Sequence, residues 1–495
     1  MFKSIIQKVR GWMYRMGLIK GIKSLSDHKN ITESDEHYNR IDIWNALYKG
    51  YYEDFHKIRY HTVDGEKTRR MNTLNMPKIV SQEMAALVFN EKCQINISDE
   101  ELSNNIADVF KMNHFYKQLQ RYLEYGFAHG GMAIKVYADD KGVRIGYATA
   151  DCFVPVSNTS DEITEGVFVS ESVKGKKYYT LLEWHTWEGT EYIVTNELYQ
   201  SDSKIDLGIK VPLETLYPDI EEEVRVKNLS RPLFVYIKPN TANNFDTQSP
   251  LGISLYANSL DTLKSLDTAF DSFNREFRLG KKRILVPSSA IKTVLDPETQ
   301  QMVRYFDAND EAYQSFNMGM DADAIKDISV ELRVSEHISA INAFLNLLAM
   351  QVGFSAGTFT FDGQGVKTAT EVVSENSKTF RTKNSHETLV EEGLKELIIS
   401  ICEVAHLYGF FEAPDDYEVA IDFDDSIAED RKQNADYYSG LVGQGLMPKV
   451  RAIMRIFDLP EDEARRWFDE INQETATATA SQVDMFGIGN QSGDD

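Results

Sequence analysis

At 495 residues, with 42% hydrophobic and 26% charged residues, the chain can bury a substantial core and is neither a fibrous nor a low-complexity sequence. Its formal net charge of −24 argues against a protein that grips nucleic acid through clustered Lys and Arg, though not against one that handles DNA without holding it. Cys93, Cys152 and Cys402 lie far apart with no CxxC pair, which argues against a disulfide framework or a cysteine zinc site and fits a reducing compartment.

The first 26 residues carry six basic side chains and no acidic one, with Ile5, Val9, Trp12, Met13 and Met16 at roughly helical spacing. Arg15 breaks the apolar stretch that a signal peptide needs. The pattern suits a membrane-surface helix or an arm that docks on a neighbouring subunit, and the arm is expected. Helical patterns follow at Tyr38–His56, Asn75–Phe89 and Leu102–His129. From Gly130 to Ile237 the period changes to two. Ala133–Tyr137 and Val143–Ala148 flank Asp140-Lys141-Gly142, and Tyr178–Trp187 and Tyr192–Tyr199 flank Glu188-Gly189-Thr190, two hairpin signals of an antiparallel β region.

Leu251–Leu279 reads as one long helix with a narrow apolar seam of Tyr256, Leu260, Leu263, Leu266, Phe270, Phe273 and Phe277. Asp261, Lys264, Asp267, Asp271 and Arg275 lie opposite the seam, and 29 helical residues would span about 44 Å. Lys281-Lys282-Arg283 follow at its C-terminal end, where the helix dipole favours cations or where they could touch phosphates. Short strands are expected at Ile284–Val286, Met302–Phe306 and Asp327–Leu332. A second, nearly uncharged helix runs over Ser335–Val352; the charge-free stretch around it is interrupted by glycines before it could span a bilayer, so no transmembrane segment is expected.

A glycine-rich loop, Gly353–Lys367, comes next. Thr368–Glu371 reads TATE, a capping box opening a helix to Tyr408 of about 60 Å, with Gly409 as its stop. Phe411–Asp495 holds 20 acidic and 7 basic residues. A strand at Tyr417–Phe423 precedes three helices, the first capped by Ser426 with Glu429, the second after Pro448, the third near Pro460. Thr475–Asp495 lacks periodicity and is expected to be disordered.

Three motifs invite a catalytic reading. Gly353-Phe354-Ser355-Ala356-Gly357 matches GxSxG, which would make Ser355 a hydrolase nucleophile with Asp362, His386 or His406 as partners. That elbow needs a preceding strand and a following helix, the reverse of this context. Gly363–Thr368 approaches a phosphate loop, but Val366 separates the last glycine from Lys367. His386-Glu387 opens HExxH, and Val390 replaces its second histidine. Neither an enzyme, nor a metal, nor a cofactor is expected.

The order of these elements resembles the portal proteins of tailed bacteriophages, of the siphovirus type, over about Ile41–Glu474. The most specific pieces are NTLNMPKIVSQEMAALVFNEKCQI (Asn72–Ile97), the seam helix ending in KKRILVP (Lys281–Pro287), and GTFTFDGQGVKTATEVVSENSKTF (Gly357–Phe380). The resemblance implies an α+β, mainly helical portal fold and a structural ring subunit, usually one of twelve, at one capsid vertex. It divides the chain into an arm and wing (1–250), a first stem helix (251–280), a clip (281–334), a second stem helix (335–352), a tunnel loop (353–367), a long wing helix (368–410), a crown (411–474) and a tail (475–495).

On that map Ser355, Thr358, Asp362, Gly363, Gln364, Gly365 and Lys367 would face the DNA channel from the tunnel loop. Asp261, Lys264, Asp267 and Asp271 would line the stem channel, and Lys281, Lys282 and Arg283 the clip edge. Leu263, Leu266, Phe270, Phe273 and Phe277 would form the ring interface. The implied partners are further copies of the chain, double-stranded DNA bound without sequence preference, the terminase large subunit, a head–tail adaptor, and scaffolding and major capsid proteins, with no membrane. The implied place is the capsid vertex of the virion, after assembly in the host cytoplasm.

Overall fold

The computed structural model describes residues 35–62, 65–159, 162–204, 207–280, 284–285, 292–295, 302–305, 326–327, 331–361, 377–423, 431–457, 459 and 463–472. The basic arm, Lys281–Arg283, loop residues Asp362, Gly363, Gln364, Gly365 and Lys367, the TATE box, the Ser426 cap and the tail lie outside the described residues.

The N-terminal part alternates helices with short strands: α1 (Asp35–Tyr48), α2 (Glu53–His56), β1 (Lys57–Thr62), β2 (Gly65–Arg70), α3 (Met76–Val88), β3 (Gln94–Ile97), α4 (Glu100–Met112) and α5 (Phe115–His129). The helix expected over Tyr38–His56 stops at Tyr48, and Gly50 turns the chain at φ 74°. The expected helix Leu102–His129 is two. Asn113 donates to the Val109 and Val143 carbonyls and accepts from the Ile145 amide, and His114 sits in the left-handed region at φ 50°. Phe110 and Phe115 stack across that break with centroids 4.0 Å apart.

Both expected hairpins form. β4 (Met132–Asp139) pairs with β5 (Gly142–Thr149), and β12 (Phe234–Ile237) adds to the other edge of β4. A second antiparallel sheet is built from β6 (Phe153–Thr159), β7 (Glu162–Lys174), β8 (Lys177–Glu188) and β9 (Glu191–Ser201). β10 (Ile209–Val211) and β11 (Glu223–Lys227) both pair with β9. Phe153, Phe168 and Phe234 pack edge to face or tilted, with centroids 5.1–5.8 Å apart, joining the two sheets.

Two helices and four short strands carry the middle of the chain: α6 (Leu260–Leu279), then the pairs β13 (Ile284–Leu285) with β16 (Lys326–Asp327) and β14 (Lys292–Leu295) with β15 (Met302–Tyr305), then α7 (Val334–Gln351). The long helix α8 (Ser377–Tyr408) covers β4 and β12 beside α3. A Cβ on Gly393 would sit 2.7 Å from Ile237 Cγ1, so the glycine lets α8 lie directly on β12. Gly409, at φ 69°, ends α8 as expected: its amide donates to His406 and that of Phe410 to Ala405, a Schellman cap. β17 (Val419–Asp422) then returns to pair with β3, tying residues 320 positions apart. Helices α9 (Arg431–Gly443), α10 (Lys449–Phe457) and α11 (463–472) follow. The fold is a mixture of helix and sheet, as expected, and no described helix is long and apolar enough to cross a membrane.

Candidate functional site: the α6–α7 pair and the loop after it

α6 is shorter than its apolar seam suggests. It begins at Leu260, so its 20 residues span about 30 Å. The start of the expected helix, Leu251–Tyr256, belongs to the core instead. Gly252 lies so near Gly130 that a Cβ would meet the Gly130 carbonyl oxygen at 2.4 Å, and the Tyr256 hydroxyl donates to the Trp44 carbonyl. A close-packed backbone crossing replaces the first turns of the expected helix.

Packing also corrects the ring-interface expectation for Leu263 and Leu266. They are 2% and 0% exposed inside the chain's own core. Phe270 and Phe273 are half-buried; Phe273 lies 5.7 Å from the His337 ring of α7 and 6.2 Å from that of Phe361. Phe277 is exposed. The seam thus finds its partner, α7, within the same chain.

The side opposite the seam holds a second correction. Asp267 and Asp271 are 5% and 4% exposed, so neither lines a channel. Asp267 bonds to His56 Nε2 at 3.1 Å and accepts from Thr73 Oγ1 and the Leu74 amide at 2.9 and 3.0 Å. One turn on, Asp271 takes both Arg69 Nη groups at 2.8 and 2.5 Å and the Asn72 amide at 3.1 Å. Burial alone would raise the Asp271 carboxyl, but Arg69 and the Asn72 amide hold it below its ordinary value. Asp261 and Lys264 are exposed, with Lys264 Nζ 5.3 Å above the Phe55 ring.

α6 and α7 run antiparallel. At the end near β13 and β16, Arg333 binds Glu276 through Nε and Nη2 at 3.1 and 2.9 Å, and this pair pushes the Glu276 carboxyl down to about 2. At the other end α7 stops at Gly353, φ 88°, with the Phe354 amide on the Ala349 carbonyl. The chain then turns back along α7. The Gly357 amide donates to Asn346 Oδ1 at 2.8 Å and the Phe361 amide to Asn342 Oδ1 at 2.9 Å. Asn342 and Asn346, one turn apart, therefore hold the first half of the loop.

Ser355 is neither a nucleophile elbow nor a channel residue. It is 3% exposed, follows a helix, and its Oγ takes the Thr379 amide and hydroxyl at 3.2 and 3.1 Å while its own amide donates to Thr379 Oγ1. This reciprocal pair pins the loop to the first turn of α8. His386 is buried, and its Nδ1 accepts from the Asn240 amide. Thr358 is exposed and donates its hydroxyl to the Ser355 carbonyl.

Two antiparallel helices, a small strand-bearing excursion between them and a loop held against the second helix make a positioning scaffold. The sequence matches the family model described as phage portal protein, SPP1 Gp6-like, over residues 27–477. The chain belongs to the phage portal protein family. No curated protein matches it. A portal protein is a structural subunit of a homo-oligomeric ring at the virion capsid, with general roles in capsid assembly and genome packaging. The serine-hydrolase alternative at Ser355 finds no support.

The residues that hold α6 in place carry no local signal in the sequence. His56, Arg69 and Thr73 meet α6 only through long-range packing, which local patterns do not reveal. Asn342 with Asn346 did carry a signal, a polar pair four apart on a nearly uncharged helix, whereas Asp267 and Asp271 share their side of the helix with Asp261, Lys264 and Arg275 and read as solvent-facing.

Proposed function

We propose that the chain forms a dodecameric portal ring through which double-stranded DNA enters and leaves the capsid. In this reading residues 1–250 are arm and wing, α6 and α7 the stem, 281–334 the clip, 353–367 the tunnel loop, α8 the long wing helix and 411–474 the crown. The observation that carries it is the antiparallel α6–α7 pair with the loop folded back from its end. The terminase large subunit and a head–tail adaptor dock on the ring, scaffolding and major capsid proteins surround it, and assembly takes place in the host cytoplasm.

Asp261 and Lys264 stay as candidates for the stem surface, and Phe277 for a contact between subunits. Acidic walls repel phosphate, so duplex DNA slides and does not lodge. Averaged electron-microscope images with mass measurement test the ring: closed particles with a central channel are expected, and only monomers beside capsid components would reject it. Gly363→Pro and Lys367→Glu test the loop. Both should assemble and package a shorter genome; full-length packaging in both would remove the tunnel-loop assignment.

A further inference from the structure

Residues 57–70 hold five Lys or Arg against two acidic residues, in a chain whose formal charge is −24. They form the β1–β2 hairpin, a sheet of two strands joined to no other described strand. Such a ribbon is marginal alone in water and leaves both edges open. Directly paired residues share a face, so Ile58↔Arg69 marks the side that Arg69 fixes to Asp271 on α6. The other side carries Lys57↔Arg70, Arg59↔Thr68 and His61↔Glu66, all exposed. Lys57 is paired with Glu53 and Arg70 donates to the Gly50 carbonyl, while Arg59 makes no ion pair among the described residues.

A surface of the opposite charge lies elsewhere on the chain. The segment linking β10 to β11 exposes Asp219, Glu221 and Glu222, and neither Asp219 nor Glu221 has an ion pair among the described residues. The Asn196 side chain and amide hold the Glu221 and Glu222 carbonyls, so this segment has a fixed backbone. It sits beyond β9, at the edge of the sheet away from β6; β6 abuts α1, where the Tyr38 hydroxyl meets the Phe153 carbonyl. Two different patches of opposite sign suit a head-to-tail contact, the kind that closes into a ring.

We propose that the Arg59 face of the β1–β2 hairpin docks on the Asp219–Glu222 segment of the next subunit in the ring. The proposal rests on ring assembly, which the wild-type chain tests separately.

The experiment measures ring and monomer populations of the full chain by native mass spectrometry and sedimentation, with circular dichroism for folding. Arg59→Glu with His61→Glu should raise the concentration needed for rings by at least about tenfold, as should Asp219→Lys with Glu221→Lys. The chain carrying all four changes should form rings near the wild-type concentration. Arg59→Gln should shift the balance the same way by less, and keeps the test open if a charge reversal disturbs folding. Rings of wild-type stability from the hairpin variant would overturn the proposal, as would a loss that the four-fold variant does not rescue. Unchanged rings with weakened DNA retention would overturn it in favour of a nucleic-acid contact. Absence of rings from the wild-type chain would reject the ring reading itself.

Discussion

Arg69, on the β1–β2 hairpin, places both terminal nitrogens on Asp271 of α6, joining residues 202 positions apart at 2.8 and 2.5 Å. The fork matches the carboxylate's two oxygens, a geometry that fixes orientation as well as charge. Asp271 is nearly buried while Arg69 is about a quarter exposed, with side-chain exposures of 5% and 23%. Asp271→Asn should therefore cost about 2–3 kcal/mol, below the range for fully buried pairs. A urea-denaturation cycle with Arg69→Met checks it: the two changes should couple by about 1 kcal/mol or more, and additive losses would mean the fork contributes no specific energy.

The crossing at Gly130 and Gly252 explains why α6 starts late and offers a second test. Gly130 holds φ 92°, and a Cβ there would meet the Gly252 carbonyl oxygen at 2.6 Å. The three atoms in the way, on Gly252 and Ile253, are all backbone, so no rotamer change relieves the clash. Gly130→Ala should lose at least about 2 kcal/mol, combining left-handed strain with the overlap. Gly189→Ala, at a hairpin turn with φ 66° and nothing within 4 Å of its Cβ, supplies the comparison: strain alone, about 1 kcal/mol. Equal losses at the two sites would show that the crossing relaxes freely.

Acid should weaken the fold through its buried histidines, beginning below about pH 6.5. Burial pushes His37 and His386 down to about 4, and lowers His129. Their unfolded value is about 6.5, so between these limits the unfolded chain binds protons that the folded one refuses. Stability is therefore complete above about pH 6.5 and falls as pH drops towards 4, by up to about 3 kcal/mol for each of His37 and His386. Asp271 acts lower down: its depressed carboxyl contributes above the unfolded value of about 3.9 and is lost as pH falls through the folded value. Among the described residues His37 has no hydrogen-bond partner on either ring nitrogen, and it packs against Tyr38 and Trp44, so His37→Phe tests the claim with little change in shape. Its urea midpoint should fall less between pH 7 and 4.5 than that of the wild type; parallel slopes would exclude His37 from the acid response.

Elements with a local signature were legible in the sequence, and contacts between distant segments were not. The hairpins at Asp140-Lys141 and Glu188-Gly189 formed because turn residues and period-two strands agree there. Gly353 and Gly409 ended helices because each adopts the left-handed conformation of a C-cap. The seam of α6 misled in two ways. Leu251–Tyr256 reads as helix, but its backbone crosses that of Gly130 at Gly252 and forms no helix. Leu263 and Leu266 look like an interface because periodicity reports that a face is buried, not which chain buries it. Asp267 and Asp271 failed for the mirror reason: an aspartate on a helix reads as solvent-facing until its partners, 193 to 211 residues away, are in place.

The Ser355–Thr379 pair should behave as a structural clip. Ser355→Ala removes an acceptor used by the Thr379 amide and hydroxyl and should cost about 1–2 kcal/mol. A fluorophosphonate probe should label the wild type no more than the variant, since Ser355 is 3% exposed. Labelling that depends on Ser355 would restore a nucleophilic role.

Asn342 and Asn346 give the tunnel-loop reading its most discriminating test. Their Oδ1 atoms receive the Phe361 and Gly357 amides, so they set where the loop leaves α7 without belonging to the loop itself. Both bonds are exposed, and replacing either residue with Ala should cost only about 0.5–1 kcal/mol. Ala also favours the helix interior over Asn, which offsets part of that loss. Folding and ring assembly should therefore survive Asn342→Ala with Asn346→Ala, while the loop's start is released. If the loop follows DNA in transit, the assembled particles should package or retain a shorter genome, read by gel beside capsid counts from microscopy. Asn346→Asp keeps the Gly357 acceptor and should behave like the wild type, which separates loss of the bond from any change at that position. A full-length genome from the double Ala variant would mean that the hold on residues 357–361 has no part in DNA passage.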